Sequence, residues 1–362
     1  MGVPNRIRSV CRDPTSLLSE YNDSGIGVIG YTCTYVPEEL MISAGLQPYR
    51  VSDIAANTSA LTPSFVCPFA SASLENMLEN QHFFSGFILA HTCDPMWRLY
   101  DILKKRTSKP LFLLRVPHNT DSSLSLDFFT MELSRLVRFL EKNFKTKIRP
   151  EALTRSIRLC NETRSLLKDI YMLNRDGKFK ATAFDRFQLV LASMWMPKSE
   201  YNAQVKTSDF NEDNICSDVR LHLNGTTIYD LNLIETIEDS GGFIASDDLC
   251  TGSRYFWSNV KELEDPISAL SERYINKIPC PSQTPLQERL EYLDFMIKEF
   301  KVQGVITFVK RFCDPILYDT VHIRSMLDRE NIPSIVIDYE NSTQEIGRIK
   351  TRVEAFIESM SD

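Results

Sequence analysis

The sequence predicts an α/β protein built from two pseudo-symmetric, doubly wound domains of the flavodoxin-like or Rossmann-like kind, with a helical insert between them. Two observations lead there. A strand running into Cys-Asp-Pro occurs twice, as Phe87-Ile-Leu-Ala-His-Thr-Cys93-Asp94-Pro95 and as Val305-Ile-Thr-Phe-Val-Lys-Arg-Phe-Cys313-Asp314-Pro315, and Leu-Tyr-Asp follows each. Such recurrence marks a duplicated domain. Short apolar runs alternate with amphipathic ones, as in a mostly parallel sheet with helices on both faces. The boundaries that follow are 1–148, 149–210 and 211–362.

Each element has its own signal. Gly27-Val-Ile-Gly-Tyr-Thr-Cys33 is an apolar run ending in a cysteine. The stretch 36–44 looks helical, with Pro37 suited to its first turn and Gly45 to its end. Ser64-Phe-Val-Cys67-Pro68 precedes a helical pattern at 74–78. The run 110–116 is a strand, and 128–144 places its apolar residues on one helical face. In the insert, Leu153, Ile157, Cys160, Leu166, Leu167 and Ile170 form an amphipathic stripe, which is far more often core than site. Residues 187–195 resume a helix, Pro197 ends it, and the polar stretch 198–218 reads as a junction. In the second half, Gly242 to Cys250 is a strand ending in a cysteine, and Ile278-Pro-Cys280-Pro281 parallels Val66-Cys67-Pro68. A strand at 332–338 and a helix at 345–360 close the chain.

At 362 residues and 43% hydrophobic, the chain can fill two or three domains. A net charge of −7 gives no support for nucleic-acid binding. The start of the chain has no apolar signal-peptide core, and no run reaches membrane-spanning length. The expected location is the cytoplasm. In that reducing compartment nine cysteines are better explained by metal ligation or burial than by disulfides.

A single cysteine is by default a small buried hydrophobe. That reading suits Cys11, Cys160 and Cys216, which lie outside the repeat. The other six, Cys33, Cys67, Cys93, Cys250, Cys280 and Cys313, cluster at strand ends beside Pro, Asp or Thr. Ligands bind at the carboxyl ends of strands in open α/β sheets. Structural zinc usually announces itself by Cys-x-x-Cys, which is absent here. A catalytic thiol needs a base, and only His91 stands directly beside one of these cysteines. Iron–sulfur ligation therefore leads over zinc or inert thiols, and three cysteines per half suggest a 4Fe–4S cubane in each. Helix N-termini next to such cysteines would favour thiolates and offset their charge.

These motifs resemble the 2-hydroxyacyl-CoA dehydratase and benzoyl-CoA reductase superfamily. The resemblance rests on Gly-Tyr-Thr-Cys33-Thr-Tyr-Val-Pro-Glu-Glu, Cys67-Pro-Phe, Thr-Cys93-Asp, Asp-Leu-Cys250-Thr-Gly-Ser-Arg-Tyr-Phe, Pro-Cys280-Pro, Phe-Cys313-Asp-Pro and the final helix around Arg352, and spans nearly the whole chain. It implies an iron–sulfur enzyme of anaerobic metabolism. Dehydratase subunits of the superfamily hold one 4Fe–4S cluster with three cysteines and work as two unlike subunits. Its double-cubane-cluster reductases carry six cysteines in one chain, form homodimers and join two cubanes through a bridging sulfide. With six cysteines, this chain is more similar to the second branch.

The resemblance also implies a partner, an ATP-hydrolysing iron–sulfur activator that delivers low-potential electrons for reduction of a small substrate. The absence of a Gly-x-x-x-x-Gly-Lys-Ser/Thr loop agrees with ATP being handled there. Glu38 and Glu39 are candidate acid–base groups, although acidic residues in a helix's first turn also simply complement its dipole. Ser253 and Arg254 are candidates for binding substrate or cluster sulfur, and His118 follows a strand end where ligands can bind. The alternatives are a dehydratase subunit with one cubane, and a zinc-binding structural or interaction protein.

Overall fold

The computed structural model describes residues 2–54, 58–179, 181–210, 219–340 and 342–360. Cys216 and much of the polar 198–218 stretch lie outside the described residues. Helices α1 (Asn5–Arg12) and α2 (Ser16–Asp23) lead into β1 (Val28–Tyr31), α3 (Glu38–Ser43), β2 (Gln47–Arg50), α4 (Pro68–Glu79), β3 (Phe84–His91), α5 (Asp94–Arg106), β4 (Leu111–Arg115) and α6 (Ser123–Phe144). Then come α7 (Pro150–Arg175), α8 (Ala183–Ser193) and α9 (Lys198–Lys206). The chain continues through β5 (Val219–Gly225), α10 (Asn232–Asp239), β6 (Gly242–Asp248), α11 (Ser253–Phe256), α12 (Pro266–Ile275) and α13 (Gln287–Glu299). It ends with β7 (Gly304–Lys310), α14 (Asp314–Arg329), β8 (Ser334–Tyr339) and α15 (Ser342–Glu358).

Among the described residues the strands form two four-stranded sheets, ordered β2-β1-β3-β4 and β6-β5-β7-β8. Every pairing is parallel. Parallel neighbours need crossovers, and the intervening helices supply them. Successive residues of a strand face opposite sides, and both sides here are apolar. Leu89 of β3 joins a core that also holds Ala245 and Val305 of the second sheet. Its neighbour Ile88 joins another, with Leu133 and Leu136 of α6. The outer face of the second sheet packs Leu221, Ile306 and Phe308 against Val353 of α15. One core is therefore shared between the two sheets. Helix α7 spans two cores, with Leu153 and Ile157 in one and Leu167, Ile170 and Tyr171 in the shared one. Cys160 is buried on that helix.

Two local expectations are corrected. The supposed polar junction begins with helix α9, which buries Lys198, Tyr201, Asn202 and Val205. Those positions follow helical spacing, but two of the four are polar, so the stripe does not read as apolar. The second correction concerns the two Cys-Pro motifs. Pro68 opens α4, whereas Cys280-Pro281 sits in a turn and the next helix starts at Gln287. Prolines at 279, 281 and 285 leave no free run for a helix there. Arg289 instead holds the turn, donating from Nη1 to the carbonyls of Cys280 (2.9 Å) and Gln283 (2.8 Å). Among the described residues no helix is long and apolar enough to cross a membrane.

Candidate metal centre

Three of the six cysteines are N-caps: Cys67 of α4, Cys93 of α5 and Cys313 of α14, each with a proline in the first turn. Proline fits there because its missing N–H would have had no partner. Cys33 and Cys250 stand two residues beyond β1 and β6, and Cys280 lies in the turn after α12. All six thus stand beyond strand or helix ends on the side where the two halves meet. Ties across that meeting are direct. Arg50 Nη1 donates to the Cys250 carbonyl at 2.8 Å, Lys277 Nζ to Thr34 Oγ1 at 2.5 Å, and Lys310 pairs with Asp53 at 2.7 Å.

The thiols do not group by half, as the duplication suggests, but across halves. Cys67 and Cys313 interact electrostatically, and Cys93 interacts with both. Cys250 and Cys280 likewise shift each other's acidity, and Cys33 acts electrostatically on Cys280. The Thr92 hydroxyl reaches the Cys33 sulfur at 3.9 Å, one residue before Cys93, so the two groups adjoin. The physical reason is that the carboxyl ends of both sheets face each other, and their loops interleave.

The groups carry different electrostatic support. Around Cys67, Cys93 and Cys313 it comes chiefly from backbone. The neighbouring Cys313 thiol lowers Cys67 to about 7, helped by the N–H groups of Ala70 and Phe69 and by Lys310. Cys313 is raised in turn. Burial pushes Cys93 up to about 12, against the N–H of Met96. Around Cys33, Cys250 and Cys280 the support is cationic. The Cys280 thiol, Arg254, Arg50 and Lys277 hold Cys250 well below the ordinary thiol value. Burial and the neighbouring Arg273 lower Lys277 to about 7.

These cations test whether the site suits an anionic group. Arg50 and Arg254 are 1% and 2% exposed. Among the described residues Arg50 Nε and Arg254 Nη1 have no hydrogen-bond partner. Among the described residues Arg50 has no carboxylate within ion-pair distance, and Arg254 has Asp248 at 3.2 Å. Buried charge is costly unless paired. A thiolate-ligated cluster would supply the missing negative charge. Among the described residues no three Cys, His, Asp or Glu side chains gather as ligands of a single ion do. Cubane ligands are spread over several irons, so two adjoining groups of three thiols fit that donor set better than a structural zinc site.

Residues 33–360 match the family described as 2-hydroxyglutaryl-CoA dehydratase, D-component. The chain belongs to this family. The beta subunit of (R)-phenyllactyl-CoA dehydratase from Clostridium sporogenes is 24% identical over 366 residues, covering 98% of each chain. A benzoyl-CoA reductase subunit from Thauera aromatica is 26% identical, over 92% of this chain and 90% of its own. The beta subunit of (R)-2-hydroxyglutaryl-CoA dehydratase from Acidaminococcus fermentans is 25% identical, over 98% and 97% respectively.

The remaining candidate residues of this family member surround the thiols at varying depth. Glu38 is buried and accepts from Tyr31 (2.8 Å), Lys198 (2.8 Å) and Tyr255 (2.6 Å). Glu39 is equally buried, accepting from Arg164 (2.5 Å) and Tyr274 (2.9 Å). Both do more than complement a helix dipole. Ser253 is buried, and its hydroxyl donates to the Asp247 carbonyl at 2.6 Å. His118 is exposed, with Nδ1 2.9 Å from the Ser282 carbonyl, which brings it to the Cys280 turn. A cavity of about 1220 Å³ is lined among others by Pro68, the residue after Cys67, and by Asp53, Tyr229, Lys310 and Tyr339. Sequence reasoning missed Arg50, Lys277, Lys310 and Lys198. A signal existed for two of them, since Lys277 and Lys310 each stand three residues before a cysteine, Cys280 and Cys313.

Proposed function

We propose that the chain is an iron–sulfur enzyme of anaerobic metabolism in which Cys33, Cys67, Cys93, Cys250, Cys280 and Cys313 hold a double-cubane cluster. It works as a low-potential reductase on a small substrate. What supports this reading is the electrostatic linkage of Cys67, Cys93 and Cys313, and of Cys33, Cys250 and Cys280, with the cavity lined by Pro68 after Cys67. When bound, the cluster supplies single electrons at low potential. The N-termini of α4, α5 and α14, with Lys310, offset negative charge on one group. Arg50, Arg254 and Lys277 do so on the other. The cavity beside Cys67 admits the substrate, and its polar walls orient it.

The electrons come from an ATP-hydrolysing iron–sulfur activator, and the chain works as a homodimer. A second reading is a 2-hydroxyacyl-CoA dehydratase subunit with one 4Fe–4S cluster. It is favoured by relatives named as beta subunits of dehydratases. Electron uptake tests the enzyme reading. Reduction by the activator only in the presence of ATP is the expected result. Full reduction by an ordinary ferredoxin, with no ATP dependence, would make the chain a carrier. Assembly separates the two branches: a cluster complete in the homodimer supports the reductase. A cluster that stays incomplete until an unlike homologous subunit is co-expressed supports the dehydratase.

A further inference from the structure

We infer that Glu38, Lys198 and Tyr255 are positioning residues that lock the Cys33 loop to the Cys250 loop through the helical insert. Glu38 stands five residues after Cys33, and Tyr255 five after Cys250. Their side chains meet directly, the Tyr255 hydroxyl donating to Glu38 Oε2 at 2.6 Å. Lys198, from α9, bridges them, with Nζ 2.8 Å from Glu38 Oε1 and 2.7 Å from the Tyr255 hydroxyl. Its third donor goes to the Ser193 carbonyl at the end of α8. Tyr31 of β1 completes the carboxylate's partners at 2.8 Å. All four side chains are buried.

The segments between each cysteine and its anchor are themselves fixed. Val36 N–H donates to the Cys33 carbonyl at 3.0 Å, and Pro37 stiffens the next step. On the other side Gly252 N–H donates to Leu249 and Tyr255 N–H to Gly252, at 3.1 and 3.0 Å. Anchoring the far end of two short, turned segments therefore sets where the thiols stand. The same strand pair contributes again: Tyr31 and Arg50 are register partners, and Arg50 holds the Cys250 carbonyl.

Energetics favour a geometric role over a stabilising one. A buried ion pair adds little net stability compared with apolar side chains of the same volume. A buried network with every partner satisfied is rigid and admits one arrangement. This network joins three chain segments and satisfies the carboxylate with three donors. Three of the carboxylate's roughly four acceptor positions are thereby held by Tyr31, Lys198 and Tyr255, which fixes its orientation.

The inference rests on the proposed ligand role of Cys33 and Cys250. Its test uses the metal-free chain, so that failure of the cluster reading and failure of the positioning role are distinguishable. Tyr255→Phe removes only the hydroxyl, and Glu38→Gln keeps the shape should the first variant fold poorly. Each is alkylated anaerobically with iodoacetamide, and rates are read cysteine by cysteine by peptide mass spectrometry. The expected result is a rise of roughly tenfold at Cys33 and Cys250, with Cys67, Cys93 and Cys313 within about twofold of the parent, as rates that follow local opening require. A uniform rise at all six cysteines would reduce the network to a general structural role and overturn the inference. So would unchanged rates at Cys33 and Cys250.

Discussion

Cys67 and Cys313 shift each other's acidity, Cys67 down and Cys313 up, although the two belong to opposite halves of the chain. That link, with the link of Cys33 to Cys280, sorts six cysteines into groups that duplication alone would not produce. The site is therefore a property of how the two sheets face each other.

Mild oxidation of the metal-free chain should trap that sorting. The first disulfides to form are expected to be Cys67–Cys313 and Cys250–Cys280, because a disulfide needs thiols already near contact. Peptide mapping after brief oxidation reads the connectivity. An early bond between the two groups, such as Cys33–Cys67, would contradict the structure.

Serine substitutions extend the argument to the loaded protein. Cys93→Ser and Cys313→Ser should give the same altered electron paramagnetic resonance signature, since both belong to one group. Cys280→Ser should give a different one. If Cys93→Ser and Cys280→Ser shared a signature, the assignment by group would be wrong.

Gly252 supports the Cys250 loop by having no side chain. A Cβ there would stand 1.9 Å from Asp247 Oδ1 and 2.6 Å from Asp247 Cγ. That oxygen accepts from the N–H groups of Ser253 (2.8 Å) and Leu249 (3.2 Å). Gly252→Ala must push a buried carboxylate off these donors. The expected cost is about 2 kcal/mol or more, read as a lower denaturation midpoint of the metal-free chain. An unchanged midpoint would mean that Asp247 has a free alternative rotamer.

His222, inside β5, gives a dependence on pH. Burial, then Arg254, lowers its pKa from 6.5 to about 3. Below 6.5 the unfolded chain takes a proton on this imidazole that the folded chain refuses. Stability from this group is thus complete above 6.5 and falls as pH drops towards 3, by about 1.4 kcal/mol per pH unit. His222→Asn should flatten that part of the profile in thermal melts of the metal-free chain. Parallel profiles for parent and variant would show that another group titrates there.

Much of the fold was legible because local signals agree. Cys93-Asp94-Pro95 and Cys313-Asp314-Pro315 both start helices in the structure, since proline and an acidic residue suit a first turn whatever the surroundings. The strands were legible as continuous apolar runs because both their faces are buried. The grouping of the thiols was not, because it depends on which loops meet across the interface and no local pattern records that. Lys198 was hidden for another reason: in a polar stretch a lysine reads as solvated, and only its partners Glu38 and Tyr255 reveal a buried one. Arg50 lacked any signal, being one cation among many until its strand places it against Cys250.

The most direct test of the central claim is quantification of iron and acid-labile sulfide in the chain purified anaerobically. A double-cubane cluster held by Cys33, Cys67, Cys93, Cys250, Cys280 and Cys313 predicts about eight irons per chain. About four would contradict the double cubane and favour the dehydratase-subunit reading, and zinc without iron would contradict the iron–sulfur assignment altogether.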